Sequence, residues 1–84
     1  MFYVYIIKSR LDSKLYIGST KNLKKRILEH KNKNIKSTKY RGEFKLIYYE
    51  AYKSEKDARG REQNLKYFGK AYAQLKKRIE NSLE

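Results

Sequence analysis

Apolar and polar positions change period along this chain, and each change marks an element. FYVYIIK, Phe2 to Lys8, is almost unbroken in aromatic and β-branched residues and predicts a strand. Side chains alternate along a strand, so Phe2, Val4 and Ile6 share one face while Tyr3, Tyr5 and Ile7 share the other. SRLDS, Ser9 to Ser13, is turn material, and KLYIG, Lys14 to Gly18, reads as a second strand, antiparallel to the first. Tyr16 falls on the face of Gly18, opposite Leu15 and Ile17. With a matching register, Tyr5 and Tyr16 lie side by side above a glycine, and Gly18 leaves room for something to approach the backbone.

The period then becomes helical. Thr20 or Asn22 can cap a helix from Leu23 to about Lys31. Taking Leu23 as zero, Ile27 falls at about +40°, His30 at about −20° and Arg26 at about −60°. His30 therefore lies inside the apolar stripe and Arg26 borders it. Either can be read blandly, as a satisfied core histidine and a snorkelling arginine, or as a basic pair facing a tyrosine-bearing sheet. FKLIYYEAY, Phe44 to Tyr52, is a third strand. Ser54-Glu55-Lys56-Asp57 resembles a capping box and opens a helix to about Phe68. Gly69 suits a left-handed residue just past its end. A last helix, roughly Ala71 to Ile79, sets Tyr72, Leu75 and Ile79 against Lys70, Lys76, Lys77 and Arg78 and reads as core cover with a basic outside. Gly60, in mid-helix, costs about 1 kcal/mol relative to Ala, and its outward position offers no reason for it. The order β-β-α-β-α-α predicts an α+β fold, a small three-stranded antiparallel sheet flanked by helices.

One position breaks the pattern. With Ala58 at zero, Leu65 falls at about −20° and Glu62 at about +40°, so a carboxylate sits in the inward stripe. That is expensive unless it is paired or holds a cation. A salt bridge to Arg26 or another basic group is one answer. A hard divalent ion held by one carboxylate, waters and phosphate oxygens is the other.

Composition narrows the class. Eighty-four residues make one domain, 1–84, with one small core. There is no cysteine, hence no disulfide framework and no thiolate zinc site, which points to a cytoplasmic protein. The apolar start is too short for a signal peptide or a membrane span. Lys and Arg number 22 against 9 acids, a formal charge of +13. Such a field attracts polyanions, nucleic acid first. A generic basic protein fits the charge too, whereas an anionic membrane lacks the amphipathic, aromatic-anchored helix it would need.

Tyr3-Val4-Tyr5, then Tyr16-Ile17-Gly18, then Arg26, His30 and Glu62 on successive helices resemble the GIY-YIG endonuclease superfamily. The likeness runs from Tyr3 to about Ile79 and is strongest to small stand-alone bacterial members and to the N-terminal nuclease domain of the excinuclease C subunit. The first motif begins with Tyr3 where the superfamily name has glycine. The resemblance implies a metal-dependent endonuclease that hydrolyses phosphodiesters in DNA, in a cytoplasmic or nucleoid setting such as DNA repair, with preference for structure over sequence. It implies Tyr16 as general base, Tyr5 orienting water or phosphate, Arg26 binding the phosphate, and His30 assisting proton transfer or bonding Tyr16. It implies Glu62 as holder of a single Mg²⁺ or Mn²⁺ at the leaving 3′-oxygen. A phenol with a reference pKa near 10 is a poor base at neutral pH, and positive charge nearby would favour its phenolate. The tyrosines, Arg26 and His30 would then line one concave site between sheet and first helix, with Glu62 reaching in from the other.

The stretch KNKNIKSTKYR, Lys31 to Arg41, reads as a loop that grips substrate. Lys31, Lys33, Lys36, Lys39 and Arg41, with Lys66 on the later helix, would meet phosphates, and Tyr40 could stack on a base. A merely solvated charge run is the plain alternative. A non-catalytic basic nucleic-acid-binding module is the alternative to the enzyme.

Overall fold

The computed structural model describes residues 1–32 and 43–84. Strands β1 (Phe2–Ser9) and β2 (Leu15–Thr20) form the hairpin, followed by α1 (Leu23–Lys31), β3 (Phe44–Tyr52), α2 (Glu55–Lys66) and α3 (Lys70–Arg78). The sheet runs β2-β1-β3, antiparallel throughout, so the first strand is central and the second is an edge. The expected α+β architecture and element order are what the chain forms.

The unbroken apolar run of β1 follows from that central place. Val4 and Ile6 meet Ala58 and Leu65 of α2 and Leu75 and Ile79 on one face. Tyr5 and Ile7 meet Phe44, with Leu23 and Ile27 of α1, on the other. A strand covered on both sides has no solvent face to mark with polar residues, and all four side chains are buried. In β3, a register shift between Ile6, opposite Tyr48, and Ile7, opposite Leu46, leaves Ile47 as an extra residue. Beyond that bulge Tyr48, Glu50 and Tyr52 turn toward α2.

Asn22, rather than Thr20, caps α1, its side chain accepting from the Lys25 amide at 3.1 Å. Ser54 caps α2. That helix ends sooner than expected, and Gly69 is not its left-handed residue. Phe68 adopts that conformation, with φ at 54°, and Gly69 instead stands at the start of α3. The second strand extends two residues past Gly18, because Ser19 and Thr20 pair with Val4 and Tyr3.

Candidate active site

Tyr5 lies directly across from Gly18, and Tyr16 across from Ile7, so all four share the α1 face. The room Gly18 provides is taken by Tyr5 itself: a Cβ at Gly18 would lie 2.6 Å from Tyr5 Cζ and closer still to its oxygen. The phenol thus lies flat over the glycine, and the free space expected there is used by the protein's own ring. Its hydroxyl is 3.0 Å from His30 Nε2. Phe44 joins the group from β3, edge-on to Tyr16 at 5.4 Å between ring centres and 6.0 Å from the His30 ring.

Burial separates the two phenols. Tyr5 is 5% exposed, whereas Tyr16 is only half-buried. Burial pushes the Tyr5 hydroxyl up to about 12; the Arg26 guanidinium opposes this, while the Glu62 and Glu29 carboxylates add to it. Burial, then the positive charge of Arg26, holds His30 below its ordinary value, with Glu29 opposing. Tyr5 keeps its proton beside a neutral imidazole, and the two share one hydrogen bond whose direction follows the imidazole tautomer. Arg26 is half-exposed, its guanidinium 4.0 Å from the Glu29 carboxylate.

Glu62 stands across the sheet from this group, beside its β2 edge. Ser19, next to Gly18, points to the opposite face, where α2 packs, and its hydroxyl donates to Glu62 Oε1 at 2.7 Å. Lys66, one turn along, meets Oε2 at 2.9 Å. Burial raises the Glu62 carboxyl, but the Ser19 hydroxyl and the Lys66 ammonium outweigh it and keep the group ionised. The expected salt bridge therefore exists, to Lys66 and not to Arg26. The tyrosines, Arg26 and His30 share one side of the sheet, and Glu62 stands on the other beside its β2 edge. A cleft of about 530 Å³ opens where the two sides meet, lined by Ser19 and Thr20, by Arg26 and Glu29 of α1, and by Ala58 and Arg59 of α2.

Two features of this arrangement escaped the sequence reading. Ser19 lies one residue beyond the strand end that KLYIG predicts; alternation carried one residue further puts it on the face of Glu62. Arg61 chelates Glu50, Nε to Oε1 and Nη2 to Oε2 each at 3.0 Å, and Tyr48 and Tyr52 both donate to the same carboxylate. This cluster fastens α2 to β3 next to Glu62. Its signal was present as an acid between two tyrosines at alternate strand positions. Of the residues expected to bind nucleic acid, Lys31 is exposed at the end of α1 and Lys66 is the partner of Glu62. Lys33, Lys36, Lys39, Tyr40 and Arg41 lie outside the described residues.

A hard cation fits the donor set at Glu62. Its carboxylate is ionised, and among the described residues one of its oxygens is met by a half-exposed lysine. Among the described residues no group of three histidines or acids stands together, so the ion would be held by one carboxylate and completed by water and phosphate, as Mg²⁺ and Mn²⁺ accept. No helix among the described residues is long and apolar enough to cross a membrane.

The fold thus sets a tyrosine hairpin against a basic helix, with an acid across the sheet beside the same edge. Residues 1–72 match the family described as the GIY-YIG catalytic domain, and the chain belongs to that family. It is 45% identical over 67 residues to the UPF0213 protein CPE1444 of Clostridium perfringens, covering 79% of this chain and 71% of that one. It is 38% identical to the UPF0213 protein SSP2268 of Staphylococcus saprophyticus, over 81% of this chain and 83% of the relative. The solution NMR structure of the UPF0213 protein BH0048 from Bacillus halodurans superposes with a TM-score of 0.55 at 31% identity, over 89% of this chain and 81% of that one.

Proposed function

We propose that the protein is a metal-dependent endonuclease that hydrolyses phosphodiester bonds in DNA, choosing its target by structure more than by sequence. The observation that carries this reading is the ionised Glu62 carboxylate, brought by Ser19 to the edge of the sheet within electrostatic reach of Tyr5. A protein that only bound polyanions would gain nothing from a negative charge there.

In this reading Arg26 holds the scissile phosphate and neutralises charge as it builds. Tyr5, buried and protonated, is held in place by its hydrogen bond with His30 and orients the attacking water or the phosphate. Tyr16, half-exposed on the same face, is the phenol able to meet solvent, and as its phenolate it takes the proton of the attacking water. Glu62 would hold Mg²⁺ or Mn²⁺, which when bound supplies a Lewis acid for the leaving 3′-oxygen. Lys66, itself half-exposed, would be free to exchange its ion pair with Glu62 for a phosphate contact.

The Lys66–Glu62 pair is also what favours the second reading, a non-catalytic basic binder in which the acid merely neutralises a lysine. Nicking of supercoiled, branched and single-stranded DNA with Mg²⁺ or Mn²⁺ decides between them. Glu62→Gln should lose at least about a hundredfold in cutting while still binding DNA. Equal trace nicking by wild type and variant would leave the binder.

A further inference from the structure

Between Glu62 and Glu80 the chain carries no acid, while Lys66, Lys70, Lys76, Lys77 and Arg78 are basic. At the corner in the middle of this stretch, where α2 gives way to α3, two aromatic side chains stand bare. Tyr67 is 81% exposed and Phe68 61%. Neither joins either core. Phe68 stands edge-to-face against Tyr72, 4.9 Å between ring centres, and the ammonium of Lys76 lies 5.5 Å from the centre of the Tyr72 ring. Single exposed apolar side chains need no explanation, but adjoining ones do.

The backbone sharpens the point. Phe68 holds the left-handed conformation that costs a side-chain-bearing residue energy and glycine almost none. Gly69 stands next to it, yet the aromatic residue occupies the strained position. The gain is that the ring is turned out at the end of a rigid helix instead of folding back on the core.

We propose that Phe68, beside Tyr67 and Tyr72 and with the Lys76 ammonium over the Tyr72 ring, is a stacking platform for an unpaired base of the nucleic acid bound at the adjacent site. Aromatic faces beside cations are how single strands are held without sequence readout. Bases inside a duplex have no free face, so the platform takes only strands at flaps, frayed ends, gaps or loops. The acid-free, lysine-rich stretch from Lys66 to Arg78 favours such a polyanion over a protein. The position fits as well. Tyr72 and Leu15 line one cleft at the start of β2, and Ser19 lines the other at its end, along the sheet's open edge. The inference rests on the reading that the chain acts on nucleic acid, and supplies the structural preference that reading asks for.

Binding without metal, in EDTA, tests it apart from cleavage. The probes are oligo(dT), a blunt hairpin duplex, and the same hairpin with an unpaired overhang. Phe68→Gly removes the ring at a position whose backbone suits glycine, so it should fold. It should weaken oligo(dT) and overhang binding by about tenfold and blunt duplex binding by less than about twofold, with an unchanged salt slope. Phe68→Trp places the only tryptophan in the chain on the platform, and its emission should be quenched by oligo(dT) and not by the blunt duplex. The proposal is overturned if Phe68→Gly binds oligo(dT) like wild type, or if both probes quench alike. It is overturned too if Phe68→Gly turns a dimer into a monomer in sedimentation, which would make the patch a contact between copies. Failure of wild type to bind any probe would remove the nucleic-acid reading itself, whereas loss of cleavage with these binding differences intact would remove only the nuclease.

Discussion

Gly18 and Tyr5 share one volume, and the candidate site depends on how they divide it. Alanine at 18 would place its Cβ 2.6 Å from Tyr5 Cζ, far inside van der Waals contact. Either the strand bulges or the phenol swings off His30, at a cost of about 1–3 kcal/mol. Gly18→Ala should lower Tm accordingly, and adding Tyr5→Leu should restore part of the loss; an unaltered Tm would mean the ring does not lie there. His30, the chain's only histidine, yields a second prediction. Burial and Arg26 hold its folded value below the ordinary 6.5, so the folded protein binds this proton less tightly than the unfolded chain. Above 6.5 both forms are neutral and the contribution is complete. As pH falls through 6.5 the unfolded chain takes up a proton the folded one refuses, and stability is lost. Glu50 and Glu62, with carboxyls held below their ordinary 4.5, add their losses only in more acid solution. Thermal melts from about pH 7.5 to about 5.5 should show a falling Tm in wild type, and His30→Gln should flatten that slope.

Elements were legible where alternation or helical period writes a face into the chain, and less so where backbone decides. Val4 and Ile6 against Tyr5 and Ile7, Leu23 with Ile27, and Ala58 with Leu65 all announced the layers that form. Glu62 was readable as an acid on an inward stripe because its helical neighbours are apolar. That its helix lies across the sheet from the tyrosines, with Ala58 and Leu65 against Val4 and Ile6, was not, because the stripe marks a buried face without saying which side of the sheet it covers. What stayed hidden was how far the edge strand runs: Ser19 and Thr20 join the ladder through backbone pairs that leave no mark on residue type. Phe68 in place of Gly69 is a second case, a residue doing what its side chain opposes. Gly60 belongs to this scale. A Cβ there meets nothing within 4 Å, and glycine in a helix interior costs about 0.5–1 kcal/mol relative to alanine. Gly60→Ala should therefore raise stability by about that amount in urea melts, with no change in m-value. A loss instead would mean that α2 needs a glycine's freedom at the turn before Glu62.

At the scale of the whole molecule, charge sets the terms on which any site here meets a polyanion. A formal +13 on 84 residues makes binding largely a matter of releasing counterions, so affinity should fall steeply and linearly on logarithmic axes as salt rises. Within that field Glu62 is the acid whose loss should strengthen binding while abolishing cleavage, because it neutralises Lys66 at 2.9 Å. Glu62→Gln frees that ammonium to meet a phosphate. Measured in EDTA, the variant should bind duplex DNA more tightly than wild type at low salt, and its salt slope should be steeper by about 0.9, the increment of one added phosphate contact. Lys66→Ala should cancel that gain in the double variant, since the released cation is then missing. A flat salt response in wild type would take nucleic acid out of the account, and an unaltered slope in Glu62→Gln would mean that Lys66 faces away from the bound strand.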